Sequence, residues 1–317
     1  MNNSLYIIRN YRPTDFDKYV QLIVEAEKLE PTGRCVSPAV LSESLYRPNC
    51  SPEQDLFVVE TAGNIVGYVD VEPELLIGRV ILNCLIHPDH RRRGLATKLL
   101  GYAMHRANEL EVKVAHVDIA QGNVVAKIVL SKLGFECVRR FLQFRLDMAK
   151  VGWRDIDQAA LRCRHLQRGE EDKLTQIQNR SFTDTWGFNP NSVEEISYRT
   201  NLSRCSPGDV VLAYDGDKVI GYCWTRTIYE VGTNERKGQI FMLGVDPDYR
   251  GRGVGKGVLL AGLSYLKSKG FQVAELTVDS RNRVACTLYR SVDFKVWAST
   301  LWYEKIVNNP PASWGAS

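Results

Sequence analysis

Pro247-Asp248-Tyr249-Arg250-Gly251-Arg252-Gly253-Val254-Gly255-Lys256 lies between an apolar run, Gln239–Val245, and a helical pattern, Gly255–Lys269. Strand, glycine loop, helix is an order with a definite chemistry. Glycines let the backbone curl so that successive N–H groups point inward, and the following helix adds its free N–H groups and positive dipole end. Such a loop holds a pyrophosphate. Gly251, Gly253, Val254 and Gly255 would supply the backbone, and Arg250, Arg252 and Lys256 the positive charge. The plainer reading is a solvated basic turn with glycines for capping. The loop is neither a G-x-x-x-x-G-K-[ST] phosphate loop nor a G-x-G-x-x-G dinucleotide fingerprint after a first strand.

The arrangement occurs twice. Sliding the chain by 159 residues aligns 88–135 with 247–294 without a gap, identical at 12 of 48 positions, where chance gives roughly three. Upstream, Ile65-Val66-Gly67-Tyr68 matches Val219-Ile220-Gly221-Tyr222, and Asp17-Lys18 matches Asp172-Lys173. Conserved order at so long an offset means a duplicated domain rather than a solenoid, whose periods are about 20–50 residues. The 317 residues suit two such domains. The boundaries expected are 1–150 and 158–307, with a linker near Lys150–Asp157.

Each copy predicts the same elements. After an opening segment and an amphipathic helix comes a hairpin: Leu56–Glu60 and Ile65–Val71 in one copy, Val210–Tyr214 and Val219–Thr227 in the other. The hairpin turns, Ala62-Gly63-Asn64 and Asp215-Gly216-Asp217, use residues that tolerate positive φ. A third strand (Val80–Ile86; Gln239–Val245) runs into the loop. Then follow a helix (Ala96–Leu110; Gly255–Lys269), a strand (Val112–Ile119; Phe271–Val278), a helix (Val124–Leu133; Arg283–Val292) and a final strand to close each copy. The expected fold is α+β (α/β): two tandem domains, each a mixed, mostly antiparallel sheet flanked by helices.

Composition narrows the function classes. Hydrophobic residues make up 44% and charged residues 25%, which excludes a disordered or fibrous chain. Net charge is +4, and the halves 1–150 and 151–317 carry 19 against 18 and 22 against 19 basic and acidic residues. Neither half is a polycation, so no nucleic-acid partner is expected. No apolar run approaches the length of a membrane span, and the N-terminus lacks the basic start and apolar core of a signal peptide. Eight cysteines (35, 50, 84, 137, 163, 205, 223, 286) include no C-x-x-C pair. Free thiols in a reducing cytoplasm, with no metal site, are therefore expected.

At this point the chain resembles the GCN5-related N-acetyltransferase (GNAT) superfamily, twice over. In that family [QR]-x-x-G-x-[GA] binds the pyrophosphate of coenzyme A. It stands here as Arg250, Gly253, Gly255, with Arg252 between, and again as Arg91, Gly94, Ala96, with Arg93 between. The family's second signature reads Asn282, Ala285, Leu288, Tyr289. The tandem layout, with Asn179-Arg180, Phe182, Trp224-Thr225 and Leu243-Gly244-Val245-Asp246-Pro247, is similar to that of the mycothiol synthase group.

The resemblance implies acetyl-CoA as co-substrate, a primary amine of a small molecule or peptide as acceptor, and direct transfer in the C-terminal copy. Leu243, Gly244 and Val245 would splay from the neighbouring strand and pair with the pantetheine arm, one N–H polarising the thioester carbonyl. Asn282 would lie beside the coenzyme, and Tyr289, whose phenol titrates near 10 unperturbed, would protonate the departing thiolate. A tyrosine merely packed between helix and sheet is the alternative. Arg91, Arg93, Gly94 and Ala96 outline a possible second coenzyme site, but the position matching Tyr289 there is Leu130, so the first copy is expected to be non-catalytic.

One departure bears on mechanism. Tandem relatives carry a glutamate base where this chain has Gln239, which accepts no proton at neutral pH. Glu230, Asp184 and Glu304 are alternative bases, each also readable as a surface carboxylate. The stretch Phe182–Pro190 reads as an acceptor-site loop or a packed connection, and Trp224, Tyr229 and Trp302 as cleft lining or core. The rival function is a non-catalytic acyl-CoA-binding sensor or scaffold.

Overall fold

The structure is a computed structural model that describes residues 6–31, 37–150, 161–228 and 237–307. The expected linker, Glu230, Tyr229 and the tail from Asn308 lie outside the described residues, apart from Lys150. Two compact units emerge. Of the described residues, one comprises those up to Val138 and those from Leu301 on, and the other Arg139–Thr300.

In the first unit β1 (Ile7–Asn10), α1 (Phe16–Leu29), α2 (Pro38–Leu45) and α3 (Pro52–Asp55) precede β2 (Leu56–Thr61), β3 (Asn64–Glu74) and β4 (Arg79–Ile86). Then come α4 (Leu95–Glu109), β5 (Val114–Ala120), α5 (Val124–Lys132) and the start of β6 (Glu136–Asp147). The strands neighbour one another in the order β1-β2-β3-β4-β5, antiparallel except for β4 and β5. Helix α4 buries Leu95, Leu99, Ala103 and Ala107, a stripe at four-residue spacing that covers one sheet face. Helix α1 covers the other with Tyr19, Leu22 and Ile23.

The second unit repeats the plan. Its elements are β7 (Arg162–His165), α6 (Glu171–Phe182), α7 (Val193–Thr200), β8 (Val210–Asp215), β9 (Lys218–Ile228) and β10 (Lys237–Val245). They continue with α8 (Val254–Ser268), β11 (Val273–Asp279), α9 (Arg283–Ser291) and the first half of β12 (Lys295–Ile306). Strand order is β6-β11-β10-β9-β8-β7. Helix α8 packs on one face through Val258, Leu259, Leu263 and Leu266, and α6 on the other through Leu174 and Ile177, against Tyr222 and Trp224.

The closing strands differ from the expectation that each copy closes itself. Beyond Val138, β6 belongs to the second unit and pairs antiparallel with β11, from Phe141↔Asp279 to Asp147↔Val273. Phe144 and Leu146, 0% and 1% exposed, enter that unit's core. From Leu301, β12 belongs to the first unit, where Tyr303 and Val307 join the core beneath α4, and the Val307 N–H donates to the Lys113 carbonyl at 2.9 Å. The hydrophobic pattern of a strand specifies which face is buried but not which sheet edge receives it. The units therefore do not coincide with the segments 1–150 and 158–307.

Candidate functional site

The site of the second unit begins where two strands part. Parallel pairing of β10 with β11 runs over Lys237↔Val273, Gly238↔Ala274 and Gln239↔Glu275 and stops. On its other side β10 stays paired with β9 to Val245↔Gly221, with a register shift between Ile240 and Met242. That irregularity re-aims the backbone. From Ile240 to Val245, including Leu243, Gly244 and Val245, the edge of β10 that faces β11 is thus outside the ladder. Gly244 is required there: a Cβ would lie 2.5 Å from the Tyr222 ring and 2.8 Å from Ser181 Cβ.

The gap opens toward the loop. Asp246, 1% exposed, fixes the turn out of β10. Its carboxylate accepts from Arg180 Nε at 2.9 Å, Lys218 Nζ at 3.2 Å and the Asp248 N–H at 3.0 Å. Although burial opposes ionisation, these bonds hold Asp246 below the usual carboxylate range. Gly251 (φ +74°) and Gly253 (φ +81°) then adopt the left-handed conformation. Gly253 is the N-cap of α8 and no side chain caps that helix, so its first N–H groups remain available to a ligand. Val254 is buried, Gly255 packs beside Val245 and Leu288, and Lys256 is exposed.

The three charges are not equivalent. Arg250 turns away from the loop and donates to the Ser181 carbonyl at 2.8 Å, bracing α6. Arg252, above the Tyr249 ring at 5.2 Å, and Lys256 stay on the exposed rim. The first unit keeps the turn but commits its cation further. Arg91 is held by both oxygens of Glu30, at 2.8 and 2.7 Å, and by the Ile86 carbonyl. Gly94 caps α4 at φ +74°, and Arg92, not glycine, takes the left-handed position at φ +62°. Arg93 lies 5.9 Å from the Tyr6 ring, and Ala96 opens α4 in place of Gly255.

Asn282 accepts the Ala285 N–H at 3.0 Å and so caps α9, just as Asn123 caps α5 by accepting from Ala126 at 2.9 Å. The cap orients Leu288 against Gly255, which brings α9 beside the loop. Tyr289 is the next residue, 7% exposed, between Phe144 and Phe294 at centroid separations of 6.0 and 5.9 Å. Burial pushes its phenol well above the ordinary value, so it keeps its proton at neutral pH. Leu130 occupies the corresponding place in the first unit and is buried.

The suggested bases fare differently. Glu304 belongs to the first unit, where it pairs with His116 Nε2 at 3.0 Å. Trp302 is likewise in that unit, its ring 6.1 Å from that of His116. Asp184 is exposed on the connection after α6. Sequence reasoning missed Glu275. It stands in register with Gln239 at the last rung before β10 and β11 part. Because Ala274 and Leu276 enter the core under α8, alternation turns Glu275 to the α6 side, with Gln239. Its Oε1 lies 3.6 Å from Arg145 Nε on β6. The signal that could have found it was strand pairing, which needs β10 and β11 aligned before their side chains can be compared.

The aromatic stretch after α6 is tied down. Phe182 stacks on Phe188 at 5.4 Å, Asn179 exchanges two 2.9 Å bonds with the Asn191 backbone, and Arg139 lies 5.1 Å from the Trp186 ring. Trp224 is fully buried. Among the described residues no cluster of His, Cys, Asp and Glu is placed to hold a metal, and no helix is long and apolar enough to cross a membrane.

An uncapped helix behind a glycine loop and an open strand edge, in a duplicated α/β unit, fit an acyltransferase fold with room for an anionic co-substrate. Comparison with known proteins agrees. A model of the "Acetyltransferase (GNAT) family" matches residues 23–135 and 172–294, so the chain belongs to that family and is an N-acetyltransferase. It is 27% identical to a mycothiol acetyltransferase of Segniliparus rotundus over 78% of this chain and 93% of that one. Identity is 26% to the mycothiol acetyltransferase of Actinosynnema mirum, over 92% and 96%. The solved tandem GNAT protein from the clavulanic acid biosynthesis pathway superposes with a TM-score of 0.71 at 14% identity, over 97% and 100% of the two chains.

Proposed function

We propose that the second unit transfers the acetyl group of acetyl-CoA directly to a primary amine of a small molecule or peptide. The parting of β10 from β11 above the uncapped loop carries this reading, because it joins an anion cradle to a free strand edge. Gly251–Lys256 would hold the pyrophosphate through backbone N–H groups, with Arg252 and Lys256 adding charge and Arg250 fixing the loop. Leu243–Val245 would pair with the pantetheine amides. A backbone N–H near the irregularity at Ile240–Met242 would polarise the thioester carbonyl.

Two side chains of this chain then move protons. Glu275 takes the place of the missing base and accepts the acceptor's proton, directly or through water, while Tyr289 gives its phenolic proton to the thiolate as the carbon–sulfur bond breaks. The first unit lacks this donor and would not catalyse. The relatives' name supports a small-molecule acceptor. Incubating the protein with acetyl-CoA and a panel of primary amines, with free thiol measured, tests the reading. Thiol release that depends on both is expected. Coenzyme binding without release for any amine would favour the sensor or scaffold reading. For Glu275→Gln, kcat is expected to fall at least tenfold with the dissociation constant for acetyl-CoA unchanged, and an unaltered kcat would remove Glu275 from the mechanism.

A further inference from the structure

Strand β9 alternates across its sheet. Gly221 and Cys223 lie against α8, since a Cβ on Gly221 would meet Val254 and one on Gly262 would meet Cys223. Tyr222, Trp224 and Arg226 therefore face α6. Arg226 stands directly across from Gln239, the last residue of β10 that is paired with β11. It flanks the apex of the gap, on the same side of the sheet as Glu275.

Among the described residues Arg226 is a cation without a counter-ion. It is half-buried, its Nε has no hydrogen-bond partner, and no carboxylate is among the groups that act on it. Its cross-strand neighbour is a neutral amide. Burial pulls it down to about 10, with Cys205 opposing and Arg199 adding to the effect, so it remains charged at neutral pH. The guanidinium carbon sits 3.1 Å from the centroid of the Phe241 ring, and such contact offsets only part of the cost of taking a charge out of water. The same ring meets Trp224 edge-on at 5.3 Å, and Trp224, 0% exposed, also has an N–H without an acceptor. Two N–H donors thus flank one ring with no acceptor between them.

We propose that Arg226 anchors the acceptor, and that the amine acetylated here carries a carboxylate. The free Nε edge of a guanidinium forms paired, parallel bonds to a carboxylate. Arg226 and Glu275 lie on strands about 10 Å apart, twice the spacing of neighbours. An amino acid bound between them places its carboxylate at Arg226 and its amine toward Glu275. The assignment rests on the acetyltransferase reading of this site and supplies its substrate class.

Matched amines test it: glycine against glycinamide, β-alanine against its amide, and 4-aminobutyrate against butylamine, each with acetyl-CoA and thiol release as readout. The carboxylate member of at least one pair is expected to show a kcat/KM ten or more times that of its neutral partner. Arg226→Gln should abolish the preference, and Arg226→Lys, which keeps charge but not the fork, should lose most of it. Calorimetric binding of acetyl-CoA, unchanged in both variants, verifies the fold. Equal use of every pair by the wild type, or a preference that survives Arg226→Gln, overturns the proposal. Should no amine release thiol, the catalytic reading fails separately. The anchor then stands if the coenzyme A-loaded wild type binds these carboxylates and Arg226→Gln does not, and falls if neither binds.

Discussion

Tyr289 differs from an ordinary core tyrosine in what stands beside it. Its neighbour Leu288 touches Gly255 at the head of α8, and its phenol is held protonated by burial. Loss of one positioned acid costs about 10²–10⁴ in rate. Tyr289→Phe is therefore expected to lower kcat at least 100-fold while leaving acetyl-CoA affinity within twofold, as single-turnover kinetics and calorimetry would show; unchanged turnover would return Tyr289 to the core. The residue type and its spacing from Asn282 were readable in the sequence, since both follow from one helix. Arg226 and Glu275 were not, because their relation to Gln239 comes from register between strands distant in the chain. Arg250 shows the converse. Its place in the motif was evident, but not that its charge is directed at the Ser181 carbonyl.

At the scale of elements the duplicated parts repeat their bracing as well as their outline. Arg9 bonds Asp15 at 2.6 Å and Arg164 bonds Glu170 at 2.6 Å, each joining a short strand, β1 or β7, to the start of the helix that follows it. Bonds from Arg164, with Lys173 assisting, hold the Glu170 carboxyl at about 2, below its unfolded value near 4.3. A depressed folded value adds stability above pH ~4 that is lost as pH falls toward ~2. Glu170→Gln should lower the melting temperature at pH 7 and shrink the difference from wild type by pH 2, a convergence that melting curves across that range would detect. The loop yields a second prediction. A Cβ at Gly253 meets nothing within 4 Å, so Gly253→Ala acts through φ alone, at about 1–2 kcal/mol. If that strain is relieved by distorting the loop, acetyl-CoA affinity falls roughly tenfold, which titration calorimetry measures. Most element boundaries follow the expected ones within three residues, for the apolar run of β2, the alternation of β3 and the four-residue stripe of α4 are bounded by turn residues. Helices α2 and α7, eight residues each, are too short for a helical period to stand out in the sequence.

For the molecule as a whole, the exchanged strands make each unit depend on residues encoded in the other copy. Tyr303, 8% exposed in the first unit's core, tests this. Tyr303→Ala is expected to cost the first unit about 3 kcal/mol, seen as loss of hydrogen-exchange protection in α4 and β5, with Val258 and Leu263 on α8 of the second unit keeping theirs. Equal loss in both units would mean that they unfold together. The repeat itself was plain from the 159-residue offset, but no pattern within a strand tells which unit it will complete. Exchange also sets an order of events during synthesis. Chains commonly fold domain by domain as they emerge, yet here the core of the first unit lacks Tyr303 and Val307 until residues 301–307 leave the ribosome. The first half to be made is thus the one that must wait, its unfinished edge exposed while almost all of the second half is translated.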